Sequence, residues 1–124
     1  MKQQRPINLD LTTLKFPPMA LVSIAHRISG VVLFILLPFV LYVFSLSLSS
    51  QESFLSLTAL LQCWVWKGGV WVFMVALVLH VLAGVRHLAM DMGLGEGLIA
   101  GRVSAWIVLV LAALMAVILG VWLW

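Results

Sequence analysis

The chain has 124 residues, of which 65% are hydrophobic and 9% charged, with a mean hydropathy of +1.22. Seven Lys/Arg and four Asp/Glu are too few to coat a water-soluble fold, which argues against a soluble enzyme, a disordered tail and a nucleic-acid-binding domain. The net charge of +3 forms no basic cluster suited to nucleic acid, and the single cysteine, Cys63, excludes an internal disulfide and any multi-cysteine metal site.

Residues 1–19 read as a cytoplasmic arm. They lack the apolar core of a signal peptide, and Pro6, Pro17 and Pro18 favour an extended segment leading into a helix start. Beyond the arm, charge spacing defines the spans. Charge-free stretches run from Ile28 to Gln51, from Gly68 to Val85 and from Val103 to Trp124, which is 24, 18 and 22 residues. A hydrocarbon core about 30 Å thick needs roughly 20 helical residues, so each stretch is long enough to cross. None shows the alternation of a barrel strand, and a lipid-exposed backbone must bond to itself. The expected fold is an all-α integral membrane protein with one domain over residues 1–124 and transmembrane helices at about 21–48, 68–92 and 103–124.

The first span opens on Ser23-Ile24-Ala25-His26-Arg27-Ile28-Ser29-Gly30, and Pro38 is expected to kink it. At about 100° per residue, Ser23, Arg27 and Gly30 share a face, with His26 beside them. Hydroxyl, imidazole and guanidinium at that level suit a polar head group whose tail enters the bilayer. A quinone fits, because its carbonyls need donors and its reduction needs protons from water. The competing reading is an interfacial anchor, with Arg27 snorkelling to lipid phosphates and Ser23 bonding to the preceding turn. Ser45–Gln51 reads as a serine-rich turn, and Phe54–Val65 as either a short interfacial helix or an extension of the second span.

The second span carries His80, Gly84, His87 and Asp91 at i, i+4, i+7 and i+11, a stripe about 60° wide. His80 lies roughly 16 Å along the helix from Asp91, deep in the membrane, where an ionisable group is costly. Three readings stand side by side for it: haem ligation through neutral imidazole, a helix–helix hydrogen bond, and a proton relay. Under the first, Gly84 would let a flat macrocycle approach the backbone. His87 cannot share an iron with His80, since about 10.5 Å of helix separates them. His26 is the other local histidine, and its place near the cytoplasmic end makes a second polypeptide the better source of a partner ligand. Asp91 and His87 form a possible proton relay, set against an ordinary Asp91–Arg86 or helix-end interaction. Gly93–Gly101 reads as a short connection that makes the second and third spans antiparallel neighbours.

Basic residues set the orientation. Lys2, Arg5, Lys15, Arg27, Arg86 and Arg102 fall on one side and only Lys67 on the other, which predicts a cytoplasmic N-terminus and a periplasmic C-terminus. Trp64, Trp66, Trp71, Trp122 and Trp124 gather at the opposite ends, as interfacial indoles do.

The pattern Arg5-Pro6, Asn8-Leu9-Asp10-Leu11, Phe16-Pro17, then Ser23-x-x-His26-Arg27-x-Ser29-Gly30, then His80-x-x-x-Gly84-Val85-Arg86-His87-x-x-x-Asp91 resembles the cytochrome b membrane-anchor subunits of bacterial succinate dehydrogenase, respiratory complex II. The likeness covers roughly residues 5–93; the third span and the loop Gln51–Trp66 contribute only hydropathy. The resemblance implies that His80 is one axial ligand of a haem b, with the second supplied by another small anchor subunit. It implies that Ser23 and Arg27 line a ubiquinone site and that His26 lies near the haem propionates. It also implies a flavoprotein carrying FAD and an iron–sulfur subunit as partners, passing electrons from succinate to ubiquinone in the bacterial inner membrane. The N-terminal arm would pack on the iron–sulfur subunit. Arg27 would stabilise negative charge developing on the quinone, and Ser23 would donate to one carbonyl. Three alternatives stand beside this: an anchor of a quinol:fumarate reductase, a haem-free anchor in which His80 only packs, and a transporter subunit or scaffold.

Overall fold

A computed structural model describes residues 16–124. The expectations for the arm before Phe16 therefore lie outside the described residues. Four helices follow one another: α1 (Pro18–Ser49), α2 (Gln51–Leu60), α3 (Trp64–Asp91) and α4 (Leu98–Leu123). Helices α1, α3 and α4 are each long and apolar enough to cross a membrane, as the three charge-free stretches predicted.

Pro17 and Pro18 start α1. Pro17 is extended, and Pro18 sits at the first helical position, where a missing N–H costs nothing. The helix then runs through the predicted serine turn. Ser47 and Ser49 donate their hydroxyls to the carbonyls of Phe44 and Leu46, at 2.7 and 2.9 Å, and so remain helical. The break comes at Ser50 alone, which is extended and accepts from the Ser53 amide at 3.0 Å, capping α2. Glu52 in the first turn of α2 faces the positive end of its dipole. Of the two readings for Phe54–Val65, a separate short helix is the closer. It ends at Leu60 and a turn through Leu61–Cys63 divides it from α3.

Helix α3 ends in a glycine-capped turn. Gly93 takes φ +82°, its amide donates to Met90, and the Leu94 amide donates to Ala89. The second connection is shorter than predicted because Gly101 belongs to α4 rather than to the loop. Gly101 is buried, and a β-carbon there would stand 2.8 Å from the Met19 sulfur. Its absence lets α1 and α3 reach the first turns of α4.

Helix α3 packs on both α1 and α4. The core is small: Val22 of α1, Ala83 of α3, and Ala105 and Val108 of α4, with Met19, Leu79, Leu82 and Leu109 against them. Alanines at the crossing allow close backbone approach, the usual basis of helix association in lipid. Most other large apolar side chains face outward; Phe34 and Ile99 are about four-fifths exposed, at 79% and 80%. Such a surface is stable only in contact with lipid or another membrane subunit.

Candidate functional site

The polar side chains gather where the N-terminal half of α1 meets the C-terminal half of α3. His26 of α1 stacks on His80 of α3, with ring centroids 4.2 Å apart and planes 24° apart. On its other side lies His87, at 5.2 Å and 21°. One imidazole from α1 thus fills the gap between two from α3. Two glycines make room for this. A β-carbon on Gly30 would meet His80 Cε1 at 3.1 Å, and one on Gly84 would meet His26 Nε2 at 3.4 Å. Each helix offers a glycine to the other's histidine. Gly84 accommodates the neighbouring imidazole of His26.

The rings are held by hydrogen bonds. Ser29, buried at 3% exposure, donates its hydroxyl to the His26 carbonyl at 2.8 Å. His80 Nδ1 lies 3.1 Å from Ser29 Oγ and 3.2 Å from the His26 carbonyl oxygen. His87 Nδ1 lies 2.7 Å from the Ala83 carbonyl, which can only accept, so that nitrogen carries the proton. Nδ1 of His80 and of His87 is engaged, and Nε2 is the remaining nitrogen of each ring.

This cluster is not a metal centre by itself. Among the described residues no group of three or more His, Cys, Asp and Glu is placed to hold an ion. The reason is geometric: lone pairs lie in the ring planes, and three nearly parallel rings do not aim them at one point. With its ring stacked face to face on His80, His26 would not join it in holding one iron. His80 by itself does suit a haem iron. Its Nδ1 is tied to a hydroxyl and a carbonyl, the usual support for a histidine that ligates through Nε2.

The other predicted residues fall around this cluster. Ser23 is half-buried and Arg27 exposed on α1, three residues before and one after His26, and among the described residues neither side chain has a hydrogen-bond partner. Asp91 is exposed at the last position of α3. The expected Asp91–Arg86 interaction is replaced by a different one. Arg86 is buried and turns to α4, where its Nε donates to Ser104 at 3.0 Å and its Nη2 to the Gly101 carbonyl at 2.9 Å. Burial against α4 pairs the guanidinium with a hydroxyl and a carbonyl, both acceptors, away from the exposed Asp91 carboxylate.

The sequence motifs gave Ser29 no role, placed Gly30 only on the face of Ser23 and Arg27, and paired Arg86 with Asp91. The signal for the first two was a serine–glycine pair three and four residues after a membrane histidine, a combination that lets a second helix come close.

Comparison with known proteins supplies the context for this site. Residues 1–120 match the family described as "Succinate dehydrogenase/Fumarate reductase transmembrane subunit". The chain is 47% identical over 126 aligned positions, the full length of both chains, to a protein of Coxiella burnetii named "Succinate dehydrogenase cytochrome b556 subunit". Proteins of the same name from Rickettsia typhi and Rickettsia prowazekii are each 30% identical over 118 positions, covering 95% of this chain and 92% of theirs. With three membrane-crossing helices, this is a multi-pass protein of the bacterial inner membrane. The stacked histidines of α1 and α3 thus sit in a chain that belongs to the succinate dehydrogenase/fumarate reductase transmembrane-subunit family, the cytochrome b anchors of complex II.

Proposed function

We propose that this chain, with a second small anchor subunit, holds a haem b through His80 and forms with Ser23 and Arg27 the site where ubiquinone is reduced. The observation that carries the haem reading is the state of His80. Its Nδ1 is bonded to Ser29 and the His26 carbonyl, which leaves Nε2 as the donor atom. The relatives' printed name, a cytochrome b556 subunit, supports the same assignment. Haem b, when bound, supplies a one-electron redox centre. A second ligand would come from the partner anchor, since His26 is stacked against His80 and His87 lies beyond it.

The quinone reading rests on Ser23 and Arg27 lying on α1 within one turn of the histidine cluster. Arg27, an exposed guanidinium, presents donors to a quinone carbonyl and offsets negative charge as electrons arrive. Ser23 donates to the same head group. His26 sits beside these residues and close to where the haem carboxylates would reach. His87 and Asp91, toward the end of α3, carry protons from the aqueous face. The chain itself oxidises no succinate; that falls to a flavoprotein with FAD, joined through an iron–sulfur subunit. Succinate oxidation is favoured over fumarate reduction by the names of the relatives.

Two variants of the assembled complex test the assignment. His80→Leu abolishes the b-type bands in a reduced-minus-oxidised spectrum; unchanged bands remove His80 as ligand. Arg27→Leu lowers succinate-driven quinone reduction about 10- to 100-fold, the worth of a hydrogen bond from a charged donor, while reduction of a soluble dye stays normal. Equal loss of both activities points to failed assembly. Orientation has its own test: Cys63, exposed at the turn before α3, reacts with an impermeant maleimide from the periplasmic face. Labelling only from the cytoplasmic face reverses the topology.

A further inference from the structure

The bonds around Ser29 take their direction from a carbonyl that can only accept. The serine hydroxyl proton goes to the His26 carbonyl at 2.8 Å, three residues back along α1. The oxygen is left with lone pairs only, 3.1 Å from His80 Nδ1, and the second neighbour of that nitrogen, at 3.2 Å, is a carbonyl oxygen. The His26 carbonyl can only accept, and an unprotonated Nδ1 would set its lone pair against it, so the proton belongs on Nδ1 and the free pair on Nε2. Three polar groups close a ring of bonds at the α1–α3 contact, with the serine 3% exposed and shielded from competing water. Gly30, next in sequence, leaves room for the ring, because a β-carbon there would stand 3.1 Å from His80 Cε1.

We infer that Ser29 is a positioning residue for the haem: by accepting from His80 Nδ1 it sets the tautomer, the rotation and the basicity of the ligating imidazole, and so tunes the redox potential of the iron. This rests on the reading of His80 as ligand. A ring whose Nδ1–H is strongly accepted donates more electron density through Nε2 and favours ferric over ferrous iron. Removing one of the two acceptors weakens that push. The His26 carbonyl remains, so the ligand stays in place and the effect is partial.

The test uses the purified four-subunit complex. Ser29→Ala removes the hydroxyl without adding volume and leaves a good helix former, so the complex assembles with its full haem content. The expected results are a haem midpoint potential shifted upward and an altered g-value spread in the ferric electron paramagnetic resonance spectrum. Ser29→Thr, which keeps the hydroxyl, returns both toward wild type. Wild-type potential and spectrum in Ser29→Ala overturn the inference, as do equal shifts in the Ala and Thr variants, which would mark a packing effect. Failure of the underlying reading looks different: His80→Leu then retains the b-type bands whatever Ser29 does.

Discussion

The two ends of the α1–α3 pair are built on opposite terms. At the histidine end, Ser29, Gly30, His26, His80, Gly84 and His87 interlock: a β-carbon would crowd His80 at Gly30 and come into contact with His26 at Gly84. At the tryptophan end the same two helices, joined by α2, enclose an apolar cavity of about 120 Å³ lined by Leu36, Phe39, Val40, Leu57, Trp66 and Phe73. Phe39 and Trp66 stack there at 5.3 Å, and β-carbons on Gly68 and Gly69 would touch nothing. Polar partners need defined distances and angles, whereas apolar contacts in lipid tolerate slack. The tight end is where a cofactor would have to be aimed; the loose end need only keep the helices together.

That contrast can be broken in several ways. The largest effect belongs to the ligand: His80→Leu eliminates the b-type spectrum, whereas Trp66→Leu at the other end keeps it, and similar losses from both would erase the distinction. Next comes Arg86→Leu. It removes two charge-assisted hydrogen bonds to Gly101 and Ser104 and costs about 3 kcal/mol of helix pairing, read as a lower Tm of the detergent-solubilised complex. Arg86→Lys recovers little, since an ammonium cannot span both acceptors as the planar fork does. The finest comparison sets two glycines against each other. Gly30→Ala pushes a β-carbon to 3.1 Å from a stacked ring and costs about 1–3 kcal/mol, with a perturbed haem spectrum. Gly69→Ala enters open space and leaves stability and spectrum as they were. Identical outcomes for the two substitutions would mean that the close approach at Gly30 carries no strain.

Much of the architecture was legible because charge is scarce. The three charge-free stretches located α1, α3 and α4, and the structure moves their ends by a few residues. The errors lie where local chemistry outweighs composition. Ser47 and Ser49 suggested a turn, yet each satisfies itself on a carbonyl three residues back, so only Ser50 breaks the helix. Gly101 looked like loop, yet it is the buried residue that admits Met19 and Arg86. For the site, spacing along one helix was informative and register between helices was not. The stripe from His80 to His87 could be read directly, and so could the impossibility of their sharing an iron. That His26 would slot between them depended on how α1 slides along α3, which Gly30 and Gly84 determine together. Arg86 was misread for a related reason: its nearest carboxylate in sequence is Asp91, while its acceptors in space belong to α4.

The reciprocal fit of Gly30 with His80 and of Gly84 with His26 has a bearing on how such anchors can be recombined. Each pair straddles both helices, so a chimera that takes α1 from one relative and α3 from another inherits half of each lock. Grafts that carry the segments around residues 26–30 and 80–87 together should transplant as a unit, while single-helix exchanges should leave one imidazole without its seat.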